Sequence, residues 1–445
     1  MTRIGTGSLE TKMFGGLDET EILTRLTALA PGSEGSSVEN PSVAAAAEVF
    51  ARAAFSGIAE PGDRVAGILI ATLGASGALD GLVQRLDAKR IVGLICETEA
   101  GVALGLSADD EFVQLVGAGL DRWAPRLNAR EALAHLERAA RFAITLLTPA
   151  HTAWPEGLND LGLHAPHALW VRGSLDVLTT LPLSIALVGA RASTGYGEHV
   201  TMEAAAGLVD RGVSIVSGAA YGIDGMAHRS ALASGGNTVA FLAGGVDRFY
   251  PSGHDALLHR IVASGAVVSE LPCGSSPTKW RFLQRNRLIA AASAATVVVE
   301  AGWRSGSLNT AGHASSLGRP LGVVPGPITS ASSAGCHRLL RETDAILVTS
   351  AAEMAELISL NPHSSGALMD ATTAVKTEPR ASSEERRILD ALSLRTPRST
   401  EDIARRAGIS VPQTQSILGL CLLAGRTIGG EKGWRRLDSE HNEMT

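Results

Sequence analysis

A chain of 445 residues is longer than one ordinary hydrophobic core organises, and it predicts two or three domains. With 45% hydrophobic and 19% charged residues it is globular in composition, and 49 glycines suit an α/β protein with many tight strand-to-helix turns. The formal charge of −6 excludes a protein that coats nucleic acid indiscriminately, although a groove responds only to the charges near it.

The charge is unevenly distributed. Arg380 to Leu437 holds eleven Lys or Arg against six Asp or Glu, a net +5, which leaves −11 for the rest of the −6 total. Cys96, Cys273, Cys336 and Cys421 lie far apart with no CxxC pair, so reduced thiols in a cytoplasm are expected, with neither disulfides nor a metal site. No basic-then-apolar leader and no uninterrupted apolar run of about 18 residues is found, so a non-exported protein without a membrane segment is expected.

Residues 1–40 are rich in Gly, Ser, Thr and Glu and predict a poorly ordered tail with a short helical pattern near Glu21–Leu29. Apolar residues at three-to-four spacing in Ala45–Phe55, Asp63–Leu73 and Glu131–Phe142 predict a helical domain over 41–142. The rhythm changes near Ala143. After an irregular lead-in with a short strand at Leu169–Val171, apolar runs alternate with amphipathic helices. The runs are Ser184–Val188, Val213–Val216, Thr238–Leu242, Val267–Ser269, Thr296–Glu300 and Leu321–Val324. Strands apolar on both faces, each followed by a helix, specify a doubly wound, mostly parallel sheet over 143–360. A polar stretch over 361–383 reads as a linker. Helical patterns at Glu384–Leu392, Thr400–Ala407 and Val411–Ala424, then a hairpin from Arg426 to Trp434, describe a winged-helix domain over 384–437. Ser399-Thr-Glu-Asp402 caps its second helix.

In an open parallel sheet, ligands bind beyond the carboxyl ends of the strands, where helix N-termini present free N–H groups. Small-residue loops fall there: Gly189-Ala-Arg-Ala-Ser193, Ser217-Gly-Ala-Ala-Tyr-Gly-Ile-Asp224, Gly244-Gly245, Ser305-Gly-Ser-Leu-Asn-Thr310 and Pro325-Gly326. Together they predict an extended anion track. The first loop is not G-x-G-x-x-G, no acid ends the second strand, and no Walker lysine is present, so no dinucleotide or other cofactor is expected.

The densest cationic cluster, Lys279-Trp-Arg281-Phe-Leu-Gln-Arg285-Asn-Arg287, holds four cations in nine residues and no acid. Arginines beside aromatics suit a strand-tracking groove, with guanidinium on phosphate and bases on rings. Asp224 and His228 are spaced for an acid–base pair, but a capping Asp and a packed, hydrogen-bonded His account for them more simply. Glu270 and Glu300 end buried strands and read as organisers of arginines and loop amides, and Trp303 reads as a packing residue slightly more than a stacking one. The helix Val411–Leu423 carries no Lys or Arg, so the winged helix is expected to make auxiliary DNA-backbone or protein contacts instead of reading sequence.

The ordered set Val188-Gly-Ala-Arg191, Ser217-Gly-Ala-Ala-Tyr-Gly-Ile-Asp224, Asp247-Arg-Phe-Tyr250-Pro251, Ser269-Glu270-Leu-Pro272, Arg285-Asn-Arg-Leu-Ile289, Ser305-Gly-Ser-Leu-Asn-Thr310 and Val324-Pro-Gly326 resembles the bacterial DNA-processing protein A family (DprA, also called Smf), from about Trp154 to Val348. The resemblance implies a Rossmann-like domain that binds single-stranded DNA, loads the RecA recombinase and forms homodimers, with no known catalysis. It assigns Arg191 to the DNA-contacting arginine of the glycine loop, and Arg285, Asn286 and Arg287 to the Arg-Asn-Arg motif. Two family cations are missing: Ser252 stands where some members have lysine, and Tyr221 where a basic residue is frequent. Arg248, or Tyr221 as a stacking surface, is a substitute for them.

The expected DNA contacts are Gly189, Arg191, Ser217, Gly218, Tyr221, Gly222, Arg248, Ser252, Lys279, Arg281, Phe282, Arg285, Asn286, Arg287, Ser305, Gly306, Ser307, Thr310 and Gly326. The rival expectation is a nucleotide or nucleoside-phosphate hydrolase on a related scaffold. Such enzymes carry a Pro-Gly-Gly-x-Gly-Thr loop, and neither Pro325-Gly-Pro nor Ser305-Gly-Ser matches it.

Overall fold

The computed structural model describes residues 24–26, 43–361 and, towards the C-terminus, 388–389, 391–393, 396–407, 411–423, 425–430 and 433–437. The tail expected over 1–40 and the linker expected over 361–383 lie outside them, apart from a helical turn at 24–26 and Asn361. The chain divides into two compact units, residues 1–372 and 373–445.

The first unit is built on a nine-stranded sheet. Its strands are β1 (Ile144–Leu147), β2 (Leu169–Gly173), β3 (Ser184–Gly189), β4 (Ser214–Ser217), β5 (Thr238–Phe241), β6 (Ala266–Ser269), β7 (Ala295–Glu300), β8 (Leu321–Val323) and β9 (Ile346–Leu347). The order is β1-β2-β6-β5-β4-β3-β7-β8-β9, parallel from β6 to β9, with β1 and β2 added antiparallel at one edge. This is the doubly wound, mostly parallel sheet that the apolar runs predict.

Alternation along β3 shows why those runs are apolar throughout. Ile185 and Leu187 join the cluster formed with helices Gly195–Val209, Ile223–Ala233 and Ala351–Ser359, whereas Ala186 and Val188 join the cluster on the other face with helix Lys279–Ala292. Both faces are covered, so no position on the strand has reason to be polar.

Helices Val43–Ile58, Arg64–Val83, Ala88–Cys96, Asp110–Trp123 and Ala129–Arg141 precede the sheet. Asp63, Asp87, Asp109 and Asn128 each accept a first-turn backbone N–H, which fixes where four of them begin. This helical layer shares one hydrophobic cluster with the sheet: Phe55, Ile68, Leu69 and Trp123 pack with Trp170, Ala240, Leu242 and Val267. Helix Arg64–Val83, against the expectation of no membrane-length segment, is long and apolar enough to cross a membrane by length and composition. It is divided by a non-helical Gly74, and Ile68, Leu69 and Ala75 are fully buried in that cluster, so it serves as a core helix.

In the second unit, helices Thr400–Ala407 and Val411–Leu423 pack with Ile388 and Leu389, and β10 (Thr427–Gly430) pairs antiparallel with β11 (Gly433–Arg436). Ser399 Oγ accepts from Asp402 N at 3.3 Å, the expected cap. These are the helices and wing of a winged-helix domain. The basic Lys432 lies outside the described residues.

Candidate nucleic-acid interface

The order of strand addition reverses between the parallel strands β3 and β7: from β3 the chain winds outward through β4, β5 and β6, then returns to lay β7 on the other side. Helices leave the carboxyl ends of those two strands on opposite faces, so their loops diverge and open a crevice. A cleft of about 980 Å³ occupies that place. One wall is Gly189 to Ala192 after β3; another is Gly302 and Arg304 to Ser307 after β7, with Thr310. The third is the 3-to-4-spaced face of helix Lys279–Ala292 formed by Lys279, Phe282, Leu283, Arg285, Asn286 and Ile289.

The loop after β3 is held from behind. Glu300, buried at the end of β7, accepts Thr194 N at 2.9 Å and Thr194 Oγ1 at 2.8 Å, while its own carbonyl accepts Ala190 N at 2.7 Å. Gly222 closes the loop after β4 against it. At φ +75° it lies in the left-handed region, and a Cβ there would stand 2.2 Å from the Ala190 carbonyl oxygen. Only glycine fits. The chain at Arg191 is therefore fixed by contacts within the protein.

Four cations line the cleft, Arg191, Lys279, Arg285 and Arg304, against one carboxylate, Asp224. Arg191 is exposed, and its guanidinium lies 4.9 Å from the centre of the Phe282 ring. The Arg285 guanidinium lies 5.9 Å from the same centre, so the glycine-loop arginine and the first arginine of the Arg-Asn-Arg segment meet around one aromatic ring. Tyr250 tilts against Phe282 at 5.7 Å and is half exposed. Arg191, Lys279 and Arg304 make no ion pair among the described residues, and their charge faces solvent.

Arg285 is a different kind of cation. It is 4% exposed, and Nη1 donates to the carbonyls of Gly218 and Phe241, both at 2.6 Å, while Nε donates to Asn286 Oδ1 at 3.2 Å. Burial lowers its pKa to about 10, against the opposing charge of Asp224, so it stays protonated at neutral pH. Asp224 is itself pushed up by burial, and it accepts Gly218 N at 3.2 Å. Asn286 passes the connection on, its Nδ2 donating to Gly306 O and Asn309 Oδ1.

Of the residues expected from the sequence, Gly189, Arg191, Lys279, Phe282, Arg285, Asn286, Ser305, Gly306, Ser307 and Thr310 come together at the cleft. Arg287 does not. It is 3% exposed, with Nη1 and Nη2 donating to the two Glu270 oxygens at 2.6 and 2.7 Å and Nε donating to His164 O at 3.1 Å. It is an internal strut, because the helix turns it away from Arg285 and into the core. Arg281 reaches Glu60 of the helical layer at 2.9 and 3.0 Å, as does Arg126 at 2.8 Å.

Ser217 is fully buried with Oγ donating to Leu187 O, and Gly218 and Gly222 form the backing of the wall. Gly218 and Arg248 line a small recess beside the cleft, with Tyr250 and Phe282. Tyr221 is half exposed and edge-on to His254 at 4.8 Å, and exposed Ser252 starts the turn beyond Tyr250. Gly326 packs on Ser333 away from the cleft lining.

The acid–base spacing of Asp224 and His228 resolves into separate partners. His228 is fully buried with Nδ1 2.7 Å from Thr238 Oγ1, and burial pulls its pKa down to about 3. Arg304 and Tyr250 are among the cleft residues that escaped the sequence reading. Arg304 stands just before the Ser305–Thr310 loop, outside its expected bounds, and Tyr250 inside a motif read only for the resemblance. Trp303, read as a packing residue, is 58% exposed.

A family model described as "DNA recombination-mediator protein A" matches residues 145–359, and one described as "DprA winged helix domain" matches residues 372–427. The DNA processing protein DprA of Mycobacterium tuberculosis is 43% identical over 319 residues, 68% of this chain and 79% of that protein. The chain belongs to the DNA recombination-mediator protein A family. Protein Smf of Escherichia coli is 41% identical over 199 residues, 44% of this chain and 52% of that one. The X-ray structure of DprA from Streptococcus pneumoniae aligns with a TM-score of 0.53 at 28% identity, covering 70% of this chain and 97% of that one. A role in DNA processing and recombination follows from membership.

Proposed function

We propose that the protein binds single-stranded DNA in the cleft between β3 and β7 and acts in the cytoplasm as a recombination mediator, presenting the strand to RecA. The observation that carries this reading is the meeting of Arg191 and Arg285 around Phe282 in a cleft whose lining holds four cations and one buried acid. Phosphates pair with Arg191, Lys279 and Arg304, beside the Ser305–Ser307 turn; Tyr250 and Phe282 offer ring faces to unstacked bases. A duplex keeps its bases stacked inside, where they cannot reach those ring faces.

Binding, not catalysis, is proposed because the acids nearest the cleft, Asp224 and Glu300, hold backbone amides of the walls. Neither is positioned as the free general base that the rival hydrolase requires. A homodimer through the Rossmann-like domain is part of the proposal; the edge strand β9, with Ile346 and Leu347 40% and 51% exposed, is the surface that suits it. Light scattering of wild type and of Leu347→Lys tests that contact.

The deciding experiment is fluorescence anisotropy with single- and double-stranded oligonucleotides of one arbitrary sequence, using wild type and Arg191→Ala. The expected result is preferential single-strand binding that Arg191→Ala weakens by about 1.5 kcal/mol or more. Equal affinity of wild type and variant contradicts the assignment.

A further inference from the structure

Trp303 lies on the loop that forms one wall of the cleft, between Gly302 and Arg304, both of which line it. It is 58% exposed, more than any other large aromatic side chain among the described residues. An exposed indole ordinarily samples several rotamers, but three features fix this one. The loop turns tightly, with Ser305 N donating to Gly302 O at 3.1 Å. Helix Ala334–Glu342 approaches the loop so closely at Gly335 that a Cβ there would lie 2.5 Å from Gly302 O; only glycine permits the approach. That approach brings Arg338, one turn further along the helix, to the indole. Its guanidinium lies 5.0 Å from the ring centre and donates to Trp303 O at 3.3 Å, while Nε is 3.8 Å from Glu342.

We infer that Trp303, braced by Arg338, is a stacking platform for a base of the DNA strand where it leaves the cleft past Arg304. This deepens the single-strand reading of the cleft and rests on it. A guanidinium against an indole is attracted by its π face, and an indole already immobilised loses little rotamer freedom when a base lies on it. Every base has a π face, so such a contact accepts any sequence and follows the polymer instead of a terminal group. The platform continues the cationic wall: a phosphate on Arg304 places the adjoining base within one residue of the ring.

The test uses the full chain with oligothymidylates of about 5 and about 20 nucleotides, lengths that bracket a cleft-sized segment and a longer strand. Trp303→Ala is expected to weaken the longer strand by roughly fivefold or more and to leave the shorter within about twofold, with Trp303→Phe retaining most of the affinity. Tryptophan emission of wild type should fall on adding the longer strand, and that fall should shrink in Trp303→Phe but persist in Trp280→Phe. Wild-type binding with unchanged Trp303→Ala affinity at both lengths and unchanged quenching overturns the platform alone. A wild-type chain that binds neither oligonucleotide overturns the cleft reading and the platform with it.

Discussion

Arg191 and Arg287 carry the same guanidinium, yet the first is exposed over Phe282 and the second is 3% exposed with both terminal nitrogens on Glu270. The difference lies in what each loop or helix does with the backbone. Arg191 rides a loop held from behind by Glu300, so its side chain has nowhere to go but outward. Arg287 follows Arg285 by two positions on a helix, about 200° around the axis, and is delivered to the opposite side. Arg285 falls between the two cases, buried but lining the cleft. A cationic motif therefore divides into charges that face a ligand and charges that hold the wall which faces it.

The largest test of that division is Arg287→Ala. It leaves Glu270 buried without its partner and should cost about 3–5 kcal/mol of stability in urea unfolding. A loss below about 1 kcal/mol would show that Arg287 is not the strut described.

Two histidines away from the cleft make stability depend on pH. Burial lowers the pKa of His167 to about 4 and that of His228 to about 3, from 6.5. Below pH 6.5 the unfolded chain takes up protons that the folded chain refuses, so stability falls as pH drops from about 6.5 towards 4. The slope is on the order of 1 kcal/mol per pH unit for each histidine. Thermal unfolding at pH 7, 6 and 5 checks it, and a melting temperature flat across that range would break the argument.

Arg191→Ala and Arg304→Ala should each cost about 1.5 kcal/mol or more of single-strand affinity while changing stability by less than about 0.5 kcal/mol. Anisotropy and urea melts on the same preparations separate the two effects. The smallest expected change is a gain: Ser252→Lys adds an exposed cation beside Tyr250 and should tighten binding by about 0.5–1 kcal/mol. A neutral result would place the strand away from that turn.

Much of the scaffold was legible because both faces of β3 to β8 are covered, which makes their apolar runs long and unambiguous. β1, four residues directly after a helix, and β9, only two residues long, carry no such signal. The glycine loops identified the rim, but periodicity could not say which glycines face a ligand. Gly222 and Gly218 turned out to admit neighbouring chain and the Arg285 guanidinium. The burial of Arg287 was hidden for a similar reason. Its partner Glu270 lies 17 residues earlier on another strand, and only the packing of helix Lys279–Ala292 against the sheet brings them together.

The most direct test of the cleft is the salt dependence of single-strand affinity in wild type and in Arg191→Ala combined with Arg304→Ala. If both residues neutralise phosphates, the slope of log affinity against log salt should become shallower by about 1.4, roughly 0.7 for each lost contact. An unchanged slope in the double variant would mean that the strand does not run along this rim.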